Sequence, residues 1–216
     1  MSNAIWMITY QLRREREAPY LEWFHEVHVP EKLARPGYSW VSHYRSTTES
    51  TDDGPPLYLA MFGGETTAVF FNPSPAQLAP KQPPETRDMM TCRINSQALI
   101  LTSEWVSAGD GPHNVNEFQV DAEAISLTLC DAAGNEMDFG AWLVQEHLPS
   151  VSGNTIHKLL SSSGDVRHAI IHTRTADTAP PYTFADAVES EWSAQVANYL
   201  KYPLDRSLIA MNRIFP

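Results

Sequence analysis

The chain has 216 residues, 43 % hydrophobic and 19 % charged, enough apolar side chain for a packed core and too little charge for wholesale disorder. Its 15 Lys plus Arg face 26 Asp plus Glu, a formal charge of −11. That field repels a phosphate backbone, so general nucleic-acid binding is excluded, and strongly anionic ligands are disfavoured unless a local patch overrides the mean.

In chain order, "AIWMITYQL" (4–12) is rich in β-formers and predicts a strand. Residues 18–33 then carry apolar side chains at 20, 23, 24 and 27, the spacing of an amphipathic helix. "RPGY" (35–38) breaks it, and strands follow at 38–46 and 57–62, with a polar turn between. The Pro-rich stretch 63–87 predicts a second, irregular helix, and 92–106 a long strand. After the linker 107–118, the order recurs: strand 124–131, helix 137–149, strands 154–162 and 166–175, helix 183–200, strand 205–215. Each half therefore reads β-α-β-β-α-β, the ferredoxin-like order.

The halves also repeat a phrase. "YLEWFHEVHVPEKL" (20–33) set over "FGAWLVQEHLPSV" (139–151) places Trp23 over Trp142, His28 over His147 and Pro30 over Pro149, without a gap. A four-stranded sheet covered by helices on one face must hide the other, and two such sheets in one chain can hide both. The fold expected is α+β: two ferredoxin-like repeats, residues 1–108 and 115–216, packed sheet to sheet as an intramolecular barrel. Strand segments such as "IWMIT" and "LYLAM", apolar on both faces, fit that arrangement.

Trp23, Phe24, His28, Pro30, Leu33, Pro36, Gly37 and Tyr38 together resemble the first-helix signature of EthD-like proteins, in the dimeric α+β barrel superfamily. The second copy keeps Trp142, His147 and Pro149 but lacks the Pro-Gly. The resemblance implies the fold more firmly than a reaction, because that superfamily includes polyketide cyclases, cofactor-free monooxygenases and decarboxylase-like proteins. Some tandem relatives carry haem on a histidine.

With Tyr20 at 0° and about 100° per residue, His28 falls at about 80°, on the flank of the apolar stripe. There, His28 and His147 are candidate general acid/bases for a ligand held between helix and sheet. The alternative is a pair of helix C-terminal histidines bonding the last carbonyls. Trp23 and Trp142 are expected beside the ligand, and His43, Tyr44 and Arg45 on the second strand, with His157 on the comparable strand of the second half, to orient its oxygen. His25 and His28 have a spacing that permits a metal, but Val144 stands where His25 would recur, so no duplicated metal site is expected. His168 and His172, four apart on a strand, share a face but lie about 13 Å apart, too far for one metal.

There is no G-x-G-x-x-G, P-loop, G-x-S-x-G or H-E-x-x-H. Two separated cysteines, no apolar run of membrane length and no leader-like N-terminus lead us to expect a cytoplasmic protein without a membrane span. The sequence reading is a protein that binds a small apolar or aromatic molecule without a cofactor. Its chemistry, if it is an enzyme, is proton transfer on a carbonyl or phenolic compound, of cyclase, decarboxylase, dehydratase or monooxygenase type. A non-catalytic binding or assembly protein is the second reading, a haem-binding barrel the third, and a homodimer is an open expectation.

Overall fold

Successive residues of the first strand, β1 (Ala4–Leu12), point to different interiors. Ile5 and Met7 belong to one apolar cluster, whereas Ala4, Ile8, Tyr10 and Leu12 belong to another, and all six are buried. Both faces of this strand are covered, which is why its sequence is apolar almost throughout. The computed structural model describes residues 3–47, 54–107, 112–113, 119–151, 154–175, 190–202 and 209–215.

The remaining strands are β2 (Tyr38–Ser46), β3 (Leu57–Gly64), β4 (Arg93–Ser107), β5 (Pro112–His113), β6 (Ala124–Cys130), β7 (Ile156–Ser163), β8 (His168–Arg174) and β9 (Ile209–Phe215). Their hydrogen-bonded order is β1-β3-β2-β9-β6-β8-β7-β4-β5, and β1 also pairs with β4. Eight strands thus close into an antiparallel barrel, with β5 attached to the far end of β4. Within the first half the order is fourth-first-third-second, and β6 to β9 repeat it.

The barrel interior is lined by both halves, among them Met7, Leu59, Met61, Leu101, Leu127, Leu159, Ile171 and Met211. The expected meeting of two open sheet faces is therefore present. What the hydrophobic pattern did not reveal is that the sheets are also joined by hydrogen-bonded edges, β2 to β9 and β4 to β7. Edge pairing is carried by backbone groups, which leave little trace in side-chain periodicity. Gly63 on β3 lies so close to the Trp40 indole of β2 that a Cβ there would stand 2.0 Å from Nε1.

Helices cover the outside of the barrel. Helix α1 runs from Glu17–Trp23 through a π-helical turn, Phe24–His28, into Val29–Leu33. The Pro-rich stretch yields three short helices, α2 (Ala68–Phe71), α3 (Pro75–Leu78) and α4 (Pro84–Met90). In the second half α5 repeats the design of α1: Glu136–Trp142, a π turn at Leu143–His147, then Leu148–Ser150. Helix α6 is described over Glu191–Tyr199, with Ser190 capping its N-terminus through a bond from the Ser193 N–H. The predicted helical residues 183–189 and strand residues 205–208 lie outside the described residues. No helix among the described residues is long and apolar enough to cross a membrane.

Candidate functional site

The π turns decide where the repeated histidines go. A π turn closes i→i+5 bonds, so the fifth residue stacks over the first, and such turns concentrate at functional sites. His28 accordingly lies over Trp23, ring centroids 4.8 Å apart, and His147 over Trp142 at 5.1 Å. This corrects the flank position expected from a regular 100° step: His28 is 4 % exposed and His147 fully buried. Burial, helped by the charges of Lys32, Arg93 and Arg35, lowers the His28 pKa to about 2, and burial lowers that of His147 to about 4. Both are neutral imidazoles at physiological pH.

Around α1 the layer is aromatic: Tyr10, Tyr20, Trp23, Phe24, Tyr58, Phe62 and Phe70 are all buried there. Within it runs a hydrogen-bonded chain. The Tyr10 hydroxyl lies 2.8 Å from His43 Nε2, and His43 Nδ1 lies 2.9 Å from His25 Nε2. Tyr10 and His43 are fully buried, whereas His25 is partly exposed and stacks on Phe215, at 4.3 Å and 7°. Phe215 comes from β9, paired with β2 at His43, so the second half supplies one wall of the first half's chain.

Two tautomeric arrangements satisfy this chain. Either Tyr10 donates to His43 and His43 to His25, or His25 donates to His43 and His43 to Tyr10. Switching between them passes a proton from His25 through His43 to the Tyr10 oxygen as Tyr10 gives its own hydroxyl proton to a substrate, so no net charge is left inside. Burial, His25 and Arg93 hold the His43 pKa well below its usual value, and burial raises that of Tyr10. The Arg93 guanidinium lies 4.5 Å over the Tyr10 ring, and its Nε donates to the Tyr20 hydroxyl at 2.6 Å. A cleft of about 370 Å³, lined by Arg13, Glu15, Arg16, Thr91 and Cys92, opens at this end of β1 and β4.

The second half arranges its imidazoles differently. His147 Nε2 lies 3.1 Å from Nε2 of His172 on β8. His172 thus occupies the third-strand place that Phe62 holds opposite His28. Burial, with His147 and His157 nearby, lowers the His172 pKa to about 3. Trp142 donates its indole N–H to Ser193 on α6 at 3.0 Å, and Ser193 in turn donates to Glu146 at 3.1 Å. His168 bonds Glu136 at 2.5 Å.

Of the residues proposed from sequence, the structure brings Trp23, His28 and His43 into one layer and Trp142 and His147 into another. Tyr44 instead faces the barrel interior, its hydroxyl donating to the Ala122 carbonyl at 2.9 Å. Arg45 is exposed and bonds the Tyr58 hydroxyl beside Glu17. His157 also turns toward the interior, since its neighbours Ile156 and Lys158 pair with His172 and Ile170 on the helix-covered face. Its equivalence to His43 fails by one residue of strand register, which reverses the face. Tyr10, Lys32 and Arg93 were not singled out, and His172 was weighed only as half of a metal pair with His168. One signal did exist: His25 stands where the second copy has Val144, which marks a residue that the fold does not require.

No group of three or more His, Cys, Asp or Glu gathers among the described residues in a way that suits a metal. Four of the described histidines are not set to bind a haem either. An axial histidine needs a ring nitrogen aimed into an open apolar slot. His43 is bonded on both nitrogens, the Nε2 atoms of His147 and His172 face each other, and His28 is held between Trp23 and Phe24.

Neither a protein-family model nor a curated protein matches the sequence. Solved structures do match in fold. A protein named as a candidate chlorite dismutase aligns with a TM-score of 0.59 at 12 % identity, over 99 % of this chain and 96 % of that one. A candidate monooxygenase from Fusobacterium nucleatum gives 0.58 at 7 %, over 98 % and 92 %. An anthrone oxidase-like protein gives 0.57 at 9 %, over 99 % and 91 %. These proteins share the fold of this chain, a closed eight-stranded antiparallel barrel with helices outside.

Proposed function

We propose that this protein is a tandem EthD-like barrel, with ferredoxin-like repeats at 1–108 and 115–216, that catalyses cofactor-independent proton transfer on a small aromatic or carbonyl compound. The supporting observation is the Tyr10–His43–His25 chain. Enolisation, cyclisation, decarboxylation and dehydration all require a proton to be removed at one atom and returned at another, and a neutral relay does this without a buried charge. His43, expected from sequence to orient the substrate, becomes the centre of the relay. In this reading the Arg93 guanidinium, which donates to the Tyr20 hydroxyl and lies over the Tyr10 ring, polarises a substrate oxygen. His28 and His147, the acid/bases favoured by sequence, act in this reading through packing, with His28 holding Trp23 and Phe24 beside the relay.

The relay is tested by solvent deuterium exchange into aromatic β-diketones and hydroxyaryl ketones, followed by mass spectrometry. The wild type is expected to accelerate exchange at the carbon next to the carbonyl. His25→Val, the residue of the second copy, and Tyr10→Phe are each expected to reduce that acceleration at least tenfold. Equal rates in all three proteins would refute the reading.

One observation favours the non-catalytic alternative for the second half: His147 bonds the fully buried His172, whereas the first-half chain ends on the partly exposed His25. We therefore place the working site in the first half. Met137 and Val144, 91 % and 44 % exposed on α5, support a homodimer through that helix, which sedimentation would test. The free, buried cysteines Cys92 and Cys130 support a cytoplasmic setting.

A further inference from the structure

Lys32, on the last turns of α1, is 5 % exposed, and its ammonium lies 4.7 Å above the Trp6 ring. Among the described residues no acidic side chain pairs with it. An ammonium taken out of water without a carboxylate is expensive, and a fold keeps one only where something else is gained. Packing is not the gain. In the second copy the same place holds Val151, buried and apolar, in an otherwise equivalent layer.

The surroundings of Lys32 lack acceptors in a systematic way. The Trp23 indole N–H is buried without a partner, whereas its counterpart in Trp142 reaches Ser193. His28 Nδ1 is buried without a partner, and Phe62 fills the place where the second half puts His172. Lysine and tryptophan side chains can only donate, and the neutral His28 imidazole offers them a single acceptor nitrogen. An acceptor from outside the chain would satisfy the layer. Burial, with the positive charges of Arg35 just past the helix and Arg93 on β4, lowers the Lys32 pKa to about 7, opposed by Glu31. Here is a local cationic patch in a chain of net charge −11. Its walls are aromatic: Trp6 and Tyr38, both partly exposed, lie against Phe70 at 6.3 and 5.3 Å.

We infer that this layer is a carboxylate site: the Lys32 ammonium takes the acid group of a small aromatic acid whose ring rests on the partly exposed Trp6 and Tyr38. The inference goes beyond the relay reading and does not depend on turnover.

The test is calorimetric titration of the full-length protein with 1-naphthoate, with 1-naphthamide as the neutral isostere. Naphthoate is expected to bind at least tenfold more tightly than the amide, and at least tenfold more weakly to Lys32→Met or Lys32→Val. In wild type, titration at pH 8 in two buffers of different ionisation enthalpy should show proton uptake on binding, because the anion recharges Lys32. His28 stays neutral in that range, and the other charged groups acting on Lys32 are Arg35, Arg93 and Glu31. Free Lys32→Met should melt at a higher temperature than wild type, since an uncompensated ammonium has been removed. The inference fails if the amide binds as well as the acid, if neither binds, if the Lys32 variants keep full affinity, or if binding takes up no proton. Naphthoate binding without deuterium exchange on any ketone would retire the relay reading and leave this one standing.

Discussion

The imidazole of His147 lies on the indole of Trp142, five residues earlier on the same helix, at 5.1 Å and an interplanar angle of 20°. The π turn makes this stacking possible, and burial then keeps the ring neutral. The same holds for His28 on Trp23, and burial also lowers His172 to about 3 and His157 to about 4. In the unfolded chain each of these rings takes up a proton near pH 6.5, while the folded protein refuses it until far lower pH. The unfolded state therefore binds more protons, and stability falls as pH falls below about 6.5. Each such histidine contributes roughly 1.4 kcal/mol per pH unit in that window. We predict a fall of several kcal/mol between pH 7 and pH 5. Calorimetry across this range checks it, and a melting temperature independent of pH between 7 and 5 contradicts it.

Ser193 links the two helices of the second half, accepting from Trp142 and donating to Glu146, which also accepts from Ser190 at 2.6 Å. Replacing it with Ala leaves the fully buried indole N–H without its acceptor. The expected cost is about 1–3 kcal/mol, the penalty for stranding one buried donor. Chemical denaturation of Ser193→Ala measures it. Trp23 already lacks such an acceptor, so Trp23→Phe should cost less than Trp142→Phe by a similar amount.

The apolar strands and the helix stripes carried the mixed α+β character, and the phrase shared by 20–33 and 139–151 falls on a helix in each place. The seams and the site were harder to read. Strand edges join through backbone groups that every residue carries. A π turn moves a histidine by about one helical position, and nothing in "FHEVH" announces it. His157 and His43 stand on corresponding strands, yet face opposite ways because a single step of register exchanges faces. Most telling are the departures between copies. His25 over Val144 and Lys32 over Val151 mark the residues that the fold can do without, and the first lies in the relay and the second in the acceptor-poor layer.

Gly63 allows the Trp40 ring to cross the backbone of β3, with no room for a side chain: an added Cβ would meet Nε1, Cε2 and Cδ1 at 2.0, 2.2 and 2.4 Å. The indole cannot simply withdraw, because it packs among the interior residues of the barrel at 7 % exposure. Gly63→Ala is therefore predicted to destabilise by about 1–3 kcal/mol, the range for overpacking a closed core. It should also shift the Trp40 fluorescence to the red as the ring becomes more exposed. An unchanged denaturation midpoint would show that the crossing is looser than this.

Across the β4–β7 seam the ammonium of Lys158 pairs with Glu104. The Lys158 side chain is only 4 % exposed, whereas Glu104 keeps 42 %, so solvent screens one partner and not the other. Burial, with Arg167 nearby, lowers the Lys158 pKa to about 8. Two substitutions that look equivalent should then differ. Glu104→Gln leaves the buried ammonium without its counter-charge and should cost about 1–3 kcal/mol, less than a fully buried pair would because Glu104 is partly solvated. Lys158→Met removes the charge together with its desolvation and should cost under about 1 kcal/mol. In the double variant most of the Glu104→Gln penalty should vanish, giving a coupling of opposite sign to that penalty in a double-mutant cycle. Raising the pH from 7 to 9 should narrow the gap between Glu104→Gln and wild type, because Lys158 loses its proton in that range and the missing carboxylate matters less. Additive single effects, unchanged with pH, would mean that the pair is a surface contact and that backbone pairing alone holds the two halves together at this seam.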